Sequence, residues 1–570
     1  MRPLVMFTWW AEFYVFGQNP IVSHAINVAL YFCNVLLVRA LALRMLRLRE
    51  YERPMLWATL AGLMYAVHPV LIESTAWVSG RFDLVCTLCL LGATVIFVHY
   101  RAPTPRRLVL VMLLFALALL SKELGVVSPA IFFCFWLAGY ADQSKSLSHN
   151  IRDLLVAHRW TWISCALVLG IYFVARKFTV GGVYGGEWGL GYYIELTKTL
   201  LPLKALVMYT MLTLLPFGRV GIMHPISANP ADLLFFLYAI LAIGLIAVVI
   251  FQAAFRQRAW AWVAVAGYIS LTLVLHFIPM LINVNIIQDR FLTAPLAFFC
   301  IAIVFWINEA GLTKRVMELT PLVGAAAGVL LSAWLLFSAV VVISIAPLWK
   351  SPFSVWAWTY KNYPEIEVIR HNYLEAAISE GHTDLARAEF ERLLVKRGGL
   401  EVSEQILYGN LLLRSGDAEV IPYLEGVFYA LPKFHLDPDG HRRVESHILT
   451  SRQVASAYTS YALGKLLFDQ DVATAMEYND IARWYMSGGA EVFTDYTRAA
   501  IMYCAGRIDE ADRLMGDLDP IYHYDKEGLK LLVPNVVRAY CDNTIAASEG
   551  VVPAACLELE SRGFFRTIAE

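Results

Sequence analysis

Long apolar stretches alternate with short polar turns from residue 21 to residue 346, and the segment from Thr320 to Pro347 holds no charged residue. Beyond Lys350 the pattern changes: charges recur every few residues and the apolar positions take helical spacing. A membrane-spanning helix needs roughly 20 apolar residues. About ten stretches qualify, at 21–43, 55–70, 84–100, 107–121, 124–140, 159–176, 231–254, 259–279, 290–308 and 320–346. Two of them are short and meet at Ser121-Lys122-Glu123. A further apolar segment, 200–216, is broken by Pro202 and Pro216. It reads as a re-entrant or surface element, because irregular backbone is not tolerated against lipid. The pattern predicts an all-α protein, with a polytopic membrane bundle over 1–349 and a water-soluble helical domain over 350–570.

Composition agrees. The chain is 58% apolar and only 16% charged, where soluble proteins carry about a quarter charged residues. A net charge of −1 argues against a nucleic-acid partner, which needs a basic surface. Met1 to Phe16 is apolar and aromatic but lacks the small-residue cleavage site of a signal peptide. Cys33, Cys86, Cys89, Cys134, Cys165 and Cys300 lie in apolar runs and read as small core residues. Cys541 and Cys556 lie in the soluble part and are able to pair in an oxidising compartment.

Basic residues concentrate on the cytoplasmic side of membrane proteins. Here they crowd five loops: Arg44 to Arg53, Arg101 to Arg107, Lys145 to Arg159, Arg256 with Arg258, and Lys314 with Arg315. These alternate correctly with ten spans provided that 200–216 does not cross. Met1 and the C-terminal domain then both lie outside, and the outer loops are 71–83, 121–124, 177–230 and 280–289.

Those outer loops hold the chemistry. HPVLIESTAWVSGRFDL places His68, Glu73, Arg81 and Asp83 at one membrane boundary; SKELG adds Lys122 and Glu123; QDRFLTAP adds Asp289 and Arg290. Ionisable groups at membrane depth are costly and usually have a functional or pairing reason. Read blandly, these are interfacial anchors and local ion pairs. Read together, they supply cations for a phosphate and carboxylates to deprotonate an acceptor. Glu73 and Asp83 are the candidate catalytic carboxylates. Arg81, Lys122 and Arg290 are the candidate phosphate ligands, with His68, Glu123 and Asp289 in support. The GGVYGGEWGLGYY segment within 177–230 reads either as a mobile loop over a sugar-lipid cleft or as an aromatic-belt loop.

At these residues the chain resembles a known family. HPVLIESTAWVSGRFDLVCTL resembles the HPxxxEAVAWxxGRxDLL signature of the transmembrane and tetratricopeptide-repeat (TMTC-like) proteins of the GT-C glycosyltransferase superfamily. The N-terminal stretch resembles that family's RPL…LNPxxxHxxNxxLHxxNxxLL segment at Arg2, Pro3, Leu4, Asn19, Pro20, His24, Asn27 and Asn34. SKELGVVSPAIFF resembles KExGxxxPxxLL, and QDRFLTAP resembles ERxLYxPS with Asp289 where Glu is usual. The resemblance covers residues 1–300 and implies an inverting transfer of a sugar from a polyprenyl-phosphate donor to an acceptor outside the cytoplasm. In that superfamily an acidic residue in the first outer loop acts as base or metal ligand. Here the sequence opens at the RPL stretch, and Glu12, the one acid ahead of the first span, does not match that motif. Either the start is set too far downstream or the protein lacks this carboxylate. Glu73 or Asp83 would orient the acceptor or a divalent cation, magnesium or manganese, which take hard oxygen ligands.

The C-terminal part reads as repeated helical pairs. A helix, a turn at Gly381 and a second helix fill 365–397; the pattern recurs around Gly416-Asp417, over 455–486 and after Gly506. The Gly381–Gly416 spacing is close to the tetratricopeptide period of about 34 residues. Such pairs bury their apolar faces by stacking into a solenoid, whose concave face would take a peptide or partner protein; the alternative is a plain helical lid. The sequence therefore predicts a multispanning glycosyltransferase of a bacterial inner membrane, with its repeat domain in the periplasm. A non-catalytic membrane scaffold with the same repeats is the alternative. A lipid flippase would place polar residues at mid-depth in the spans, whereas here they cluster at one face.

Overall fold

The computed structural model describes residues 2–17, 19–99, 101–180, 193–194, 200–216, 221–225, 233–277, 286–311, 321–431, 434–436, 442–444, 449–486, 492–521 and 532–565. Most of the GGVYGGEWGLGYY segment lies outside the described residues. The chain divides into two compact units: Met1–Val15 with Asn19–Val355, and Phe16–Gln18 with Trp356–Glu570.

The first unit contains helices α1 (Pro3–Phe16), α2 (Pro20–Leu48), α3 (Pro54–Val67), α4 (Ile72–Ala76), α5 (Arg81–Phe97), α6 (Pro105–Ser121), α7 (Ser128–Tyr140), α8 (Leu147–Ala157), α9 (Arg159–Val180), α10 (Leu201–Leu214), α11 (Leu233–Ala254), α12 (Ala259–Leu271), α13 (Thr293–Glu309) and α14 (Pro321–Ile345). Among the described residues seven helices are long and apolar enough to cross a membrane, or eight if the bent pair α3–α4 counts as one span. That is fewer than the ten stretches of the sequence reading. The shortfall has a geometric cause. Helices α3, α6 and α12 have 14, 17 and 13 residues, and at 1.5 Å per residue each falls short of a hydrocarbon core of about 30 Å. Each is followed by a 3₁₀ turn or an irregular segment. The 200–216 segment forms the short helix α10, below spanning length.

Helices α2, α3, α5, α6, α7, α12 and α13 share one apolar core, filled by side chains such as Phe115, Phe132, Phe135, Trp136 and Phe298. By contrast α9, α11 and α14 are apolar yet little buried. Exposed Ile163, Leu167, Ile171, Val174 and Phe178 run along α9. An apolar helix with an uncovered apolar face suits a lipid environment. Helix α1 lies differently. Arg2, just ahead of it, meets Glu123 at the start of the α6–α7 turn, and Glu12 near its other end meets Arg81 at the start of α5. It therefore lies across the helix ends that carry these turns, over a distance of about 15 Å.

Among its described residues the second unit is helical, apart from a small hairpin pairing 434–436 with 442–444. After α15 (Pro352–Asn362), five successive helix pairs follow: α16 (Glu367–Ser379) with α17 (Thr383–Arg397), α18 (Val402–Arg414) with α19 (Val420–Phe428), α20 (Ser451–Phe468) with α21 (Val472–Tyr485), α22 (Val492–Cys504) with α23 (Ile508–Ile521), and α24 (Leu532–Ala547) with α25 (Ala554–Ser561). Gly381, Gly416 and Gly506 sit in the turns of three pairs at positive φ, a region that glycine enters without steric cost. Glu404 receives Arg370 at 2.7 Å and Arg397 at 3.2 Å, joining α16, α17 and α18. Cys541 and Cys556 form a disulfide between α24 and α25.

Candidate functional site

The HP…GRFD stretch does not run straight. Pro69 ends α3, since its ring cannot continue the helix, and the axis bends by 55° into α4. Gly80 then lets the chain pass under α4: a Cβ there would lie 2.2 Å from the Ser74 carbonyl oxygen. Gly125 plays the same part after SKEL, where a Cβ would lie 2.7 Å from the Leu119 nitrogen. These two glycines are close-packing positions, and they carry the ionisable residues beside them to the start of α5 and α7.

The structure matches each candidate cation with a carboxylate distant in sequence. Arg290 binds Glu73 through its guanidinium, and its backbone N–H donates to the other Glu73 oxygen at 2.8 Å. Lys122 pairs with Asp83. Arg81 pairs with Glu12, donates to Asn27 Oδ1 at 2.9 Å and to the Ser23 carbonyl at 3.1 Å, and has no exposed surface. Asn27 in turn donates to the Trp77 carbonyl at 3.0 Å. The Arg81 cluster therefore ties α1, α2 and α5 together.

Lys122 and Arg290 approach one another. Both lie over the Phe291 ring, at 4.5 and 5.1 Å from its centroid, and Arg290 also stacks on Trp77 at 4.3 Å. Asp289, beside Arg290, accepts from the Gly221 N–H at 2.8 Å and contacts His224 Nε2 at 2.6 Å. Glu73, Asp83, Lys122, Asp289 and Arg290 thus share one region over the apolar bed of Val70, Tyr209, Leu271 and Leu292. Arg81 stands apart from them behind α5, because Glu12 of α1 claims its guanidinium. His68 is buried, its Nε2 at 3.1 Å from the Thr213 carbonyl and its ring against Trp334. Glu123 faces outward, between Arg2 and Arg176.

Sequence reasoning missed four participants: Glu12, Arg2, Arg176 and His224. A lone acid in an apolar, aromatic stretch was a signal for Glu12, since a charge in such a place needs a partner. His224 had none. Among the described residues no three His, Cys, Asp or Glu side chains converge as metal ligands. Glu73 and Asp83 are held by cations instead, so they form no ligand set for magnesium or manganese.

Comparison with known proteins points the same way as the motifs. A stretch of 133 residues, 23% of this chain, is 27% identical to Protein O-mannosyl-transferase F38B6.6 of Caenorhabditis elegans. Another match, over 131 residues or 22% of the chain, is 31% identical to Protein O-mannosyl-transferase Tmtc1 of Drosophila melanogaster. The curated relatives are protein O-mannosyl-transferases. A third, TMTC1 of Mus musculus, is 30% identical over 164 residues, 26% of the chain. The matched stretches span only 18%, 14% and 16% of the length of those three relatives. No family model matches the chain, and no solved structure does.

Proposed function

We propose that this chain transfers a sugar, mannose by analogy with its relatives, from a polyprenyl-phosphate donor to an acceptor on the extracytoplasmic side. One observation carries the reading: Glu73–Arg290 and Asp83–Lys122 meet around Phe291 at the ends of buried helices, where cations and carboxylates of one site are held without water to screen them. Lys122 and Arg290 take the donor phosphate, whose negative charge competes with their resting carboxylate partners. The carboxylate thereby released, Asp83 or Glu73, accepts the proton of the acceptor hydroxyl. The hydroxyl oxygen attacks the anomeric carbon from the face opposite the phosphate. The bond from that carbon to the phosphate oxygen breaks, and polyprenyl phosphate leaves with the electron pair. Inversion follows from this geometry. Arg81 serves by holding α1, α2 and α5 in register.

The helix pairs of the second unit act as a tetratricopeptide-like solenoid that presents the acceptor. Supporting this, two adjoining cavities of about 440 and 520 Å³ share Glu375, Leu407, Asn410, Ser456 and Phe493, drawn from the first helices of successive pairs. The Cys541–Cys556 bond supports an oxidising compartment for this unit, in keeping with the basic loops on the opposite side. A non-catalytic scaffold is the second reading, favoured by the pairing of Glu73, Asp83 and Glu123 with cations. The test is transfer of label from radiolabelled polyprenyl-phosphate mannose to protein in membranes holding this chain. Label appearing in protein with wild type and not with Arg290→Ala supports the enzyme; no label with wild type leaves the scaffold.

A further inference from the structure

Two arginines outside the cluster above converge on one carboxylate. Arg2 donates to Glu123 Oε2 from Nε at 3.2 Å and from Nη2 at 2.9 Å. Arg176 donates to the other oxygen, Oε1, at 3.1 Å. One negative charge therefore stands between two positive ones. Next along the chain, Lys122 pairs with Asp83.

This bridge differs from the inner pairs in its access to the surroundings. The Arg2 and Glu123 side chains are 36% and 35% exposed, whereas Arg81 and Glu12 are 0% and 1% exposed. Arg2 also lines a cavity of about 440 Å³ with Pro3, Met6 and Phe82, and its guanidinium lies 4.8 Å over the Phe82 ring. The lining is thus one cation on an apolar wall. Arg176 extends from α9, the helix whose Ile163, Leu167, Ile171, Val174 and Phe178 remain uncovered. A ligand dissolved in the bilayer has to arrive from such a side.

We propose that Arg2 and Arg176 form the docking site for the phosphate of a membrane-dissolved isoprenoid, with Glu123 holding the two guanidiniums in place until the phosphate arrives. Guanidinium suits this task, since its fork matches phosphate oxygens and it is always charged. The apolar cavity beside Arg2 takes the first isoprene units, and Lys122 lies on the path inward to Arg290. This site rests on the donor class proposed above and adds to it an entrance from α9.

The experiment measures binding of undecaprenyl phosphate, which carries no sugar, to the full chain in lipid nanodiscs by native mass spectrometry. Arg2→Gln and Arg176→Gln should each weaken binding roughly tenfold, the size of one lost charge-assisted hydrogen bond. Glu123→Gln should tighten it, because the competing charge is gone while the side-chain shape stays. A general loss of packing would weaken all three variants, which overturns the site. Phosphatidylglycerol competing as well as undecaprenyl phosphate, or inorganic phosphate displacing it fully, also overturns it. Wild-type binding with both arginine variants unchanged sinks this site but spares the transfer reading. No binding by wild type removes both.

Discussion

Arg81 has three partners and no contact with solvent. Removing one member of a buried ion pair leaves the other charged and unpaired, at a cost of about 3–5 kcal/mol. Arg81→Gln should therefore lower the unfolding temperature of the detergent-solubilised protein sharply, and a Glu12→Gln/Arg81→Gln double variant should recover much of the loss. Equal melting of the single and double variants would remove the pairing argument. Arg290→Ala is expected to act otherwise: transfer should fall by on the order of 10²–10³, with membrane insertion intact. In the second unit, burial and then the neighbouring Glu401 push the Glu367 carboxyl upward. A carboxyl with a raised folded-state pKa stabilises below its unfolded value, and that contribution is lost as pH rises through the folded value. Glu367→Gln should thus gain stability at neutral pH and nothing in acid, as read from full-chain unfolding at two pH values.

At the scale of elements, the positions in the HP…GRFD and SKELG motifs that have no side chain decide how closely the turns pack. Gly80→Ala puts a methyl group 2.2 Å from backbone oxygen, with no flexible side chain to yield. Such overpacking costs about 1–3 kcal/mol or more. Gly170→Ala, where nothing lies within 4 Å, is the matched control and should melt like wild type. The disulfide fastens the last helix pair across a separation of 15 residues. Closing a loop of that length is worth about 3 kcal/mol in the chain-entropy account. Cys541→Ser with Cys556→Ser should lower the stability of the second unit by a similar amount, and reducing agent should do the same to wild type.

For the whole molecule, two patterns of burial accompany two sequence styles. Helices α9, α11 and α14 leave apolar faces uncovered, whereas the second unit packs apolar side chains between its helix pairs. The turns at Gly381, Gly416 and Gly506 were readable because they need a backbone conformation that few residues adopt, and all three glycines have positive φ. The number of spanning helices was less readable. Hydropathy counts apolar residues, while helix ends depend on prolines and on 3₁₀ turns that shorten α3, α6 and α12.

Residue pattern alone set the helical class, the change of pattern after Lys350 and the loops that hold the ionisable residues, because each follows from local composition and period. Which carboxylate meets which cation did not follow. Glu73 finds Arg290 across 217 positions, Arg81 finds Glu12 across 69, and Lys122 finds Asp83 across 39. Charge attracts without regard to sequence neighbours, so only the packing of the helices chose these partners. The same packing laid α1 from the α6–α7 turn to the start of α5, buried Arg81, and left Arg2 and Arg176 around an accessible carboxylate.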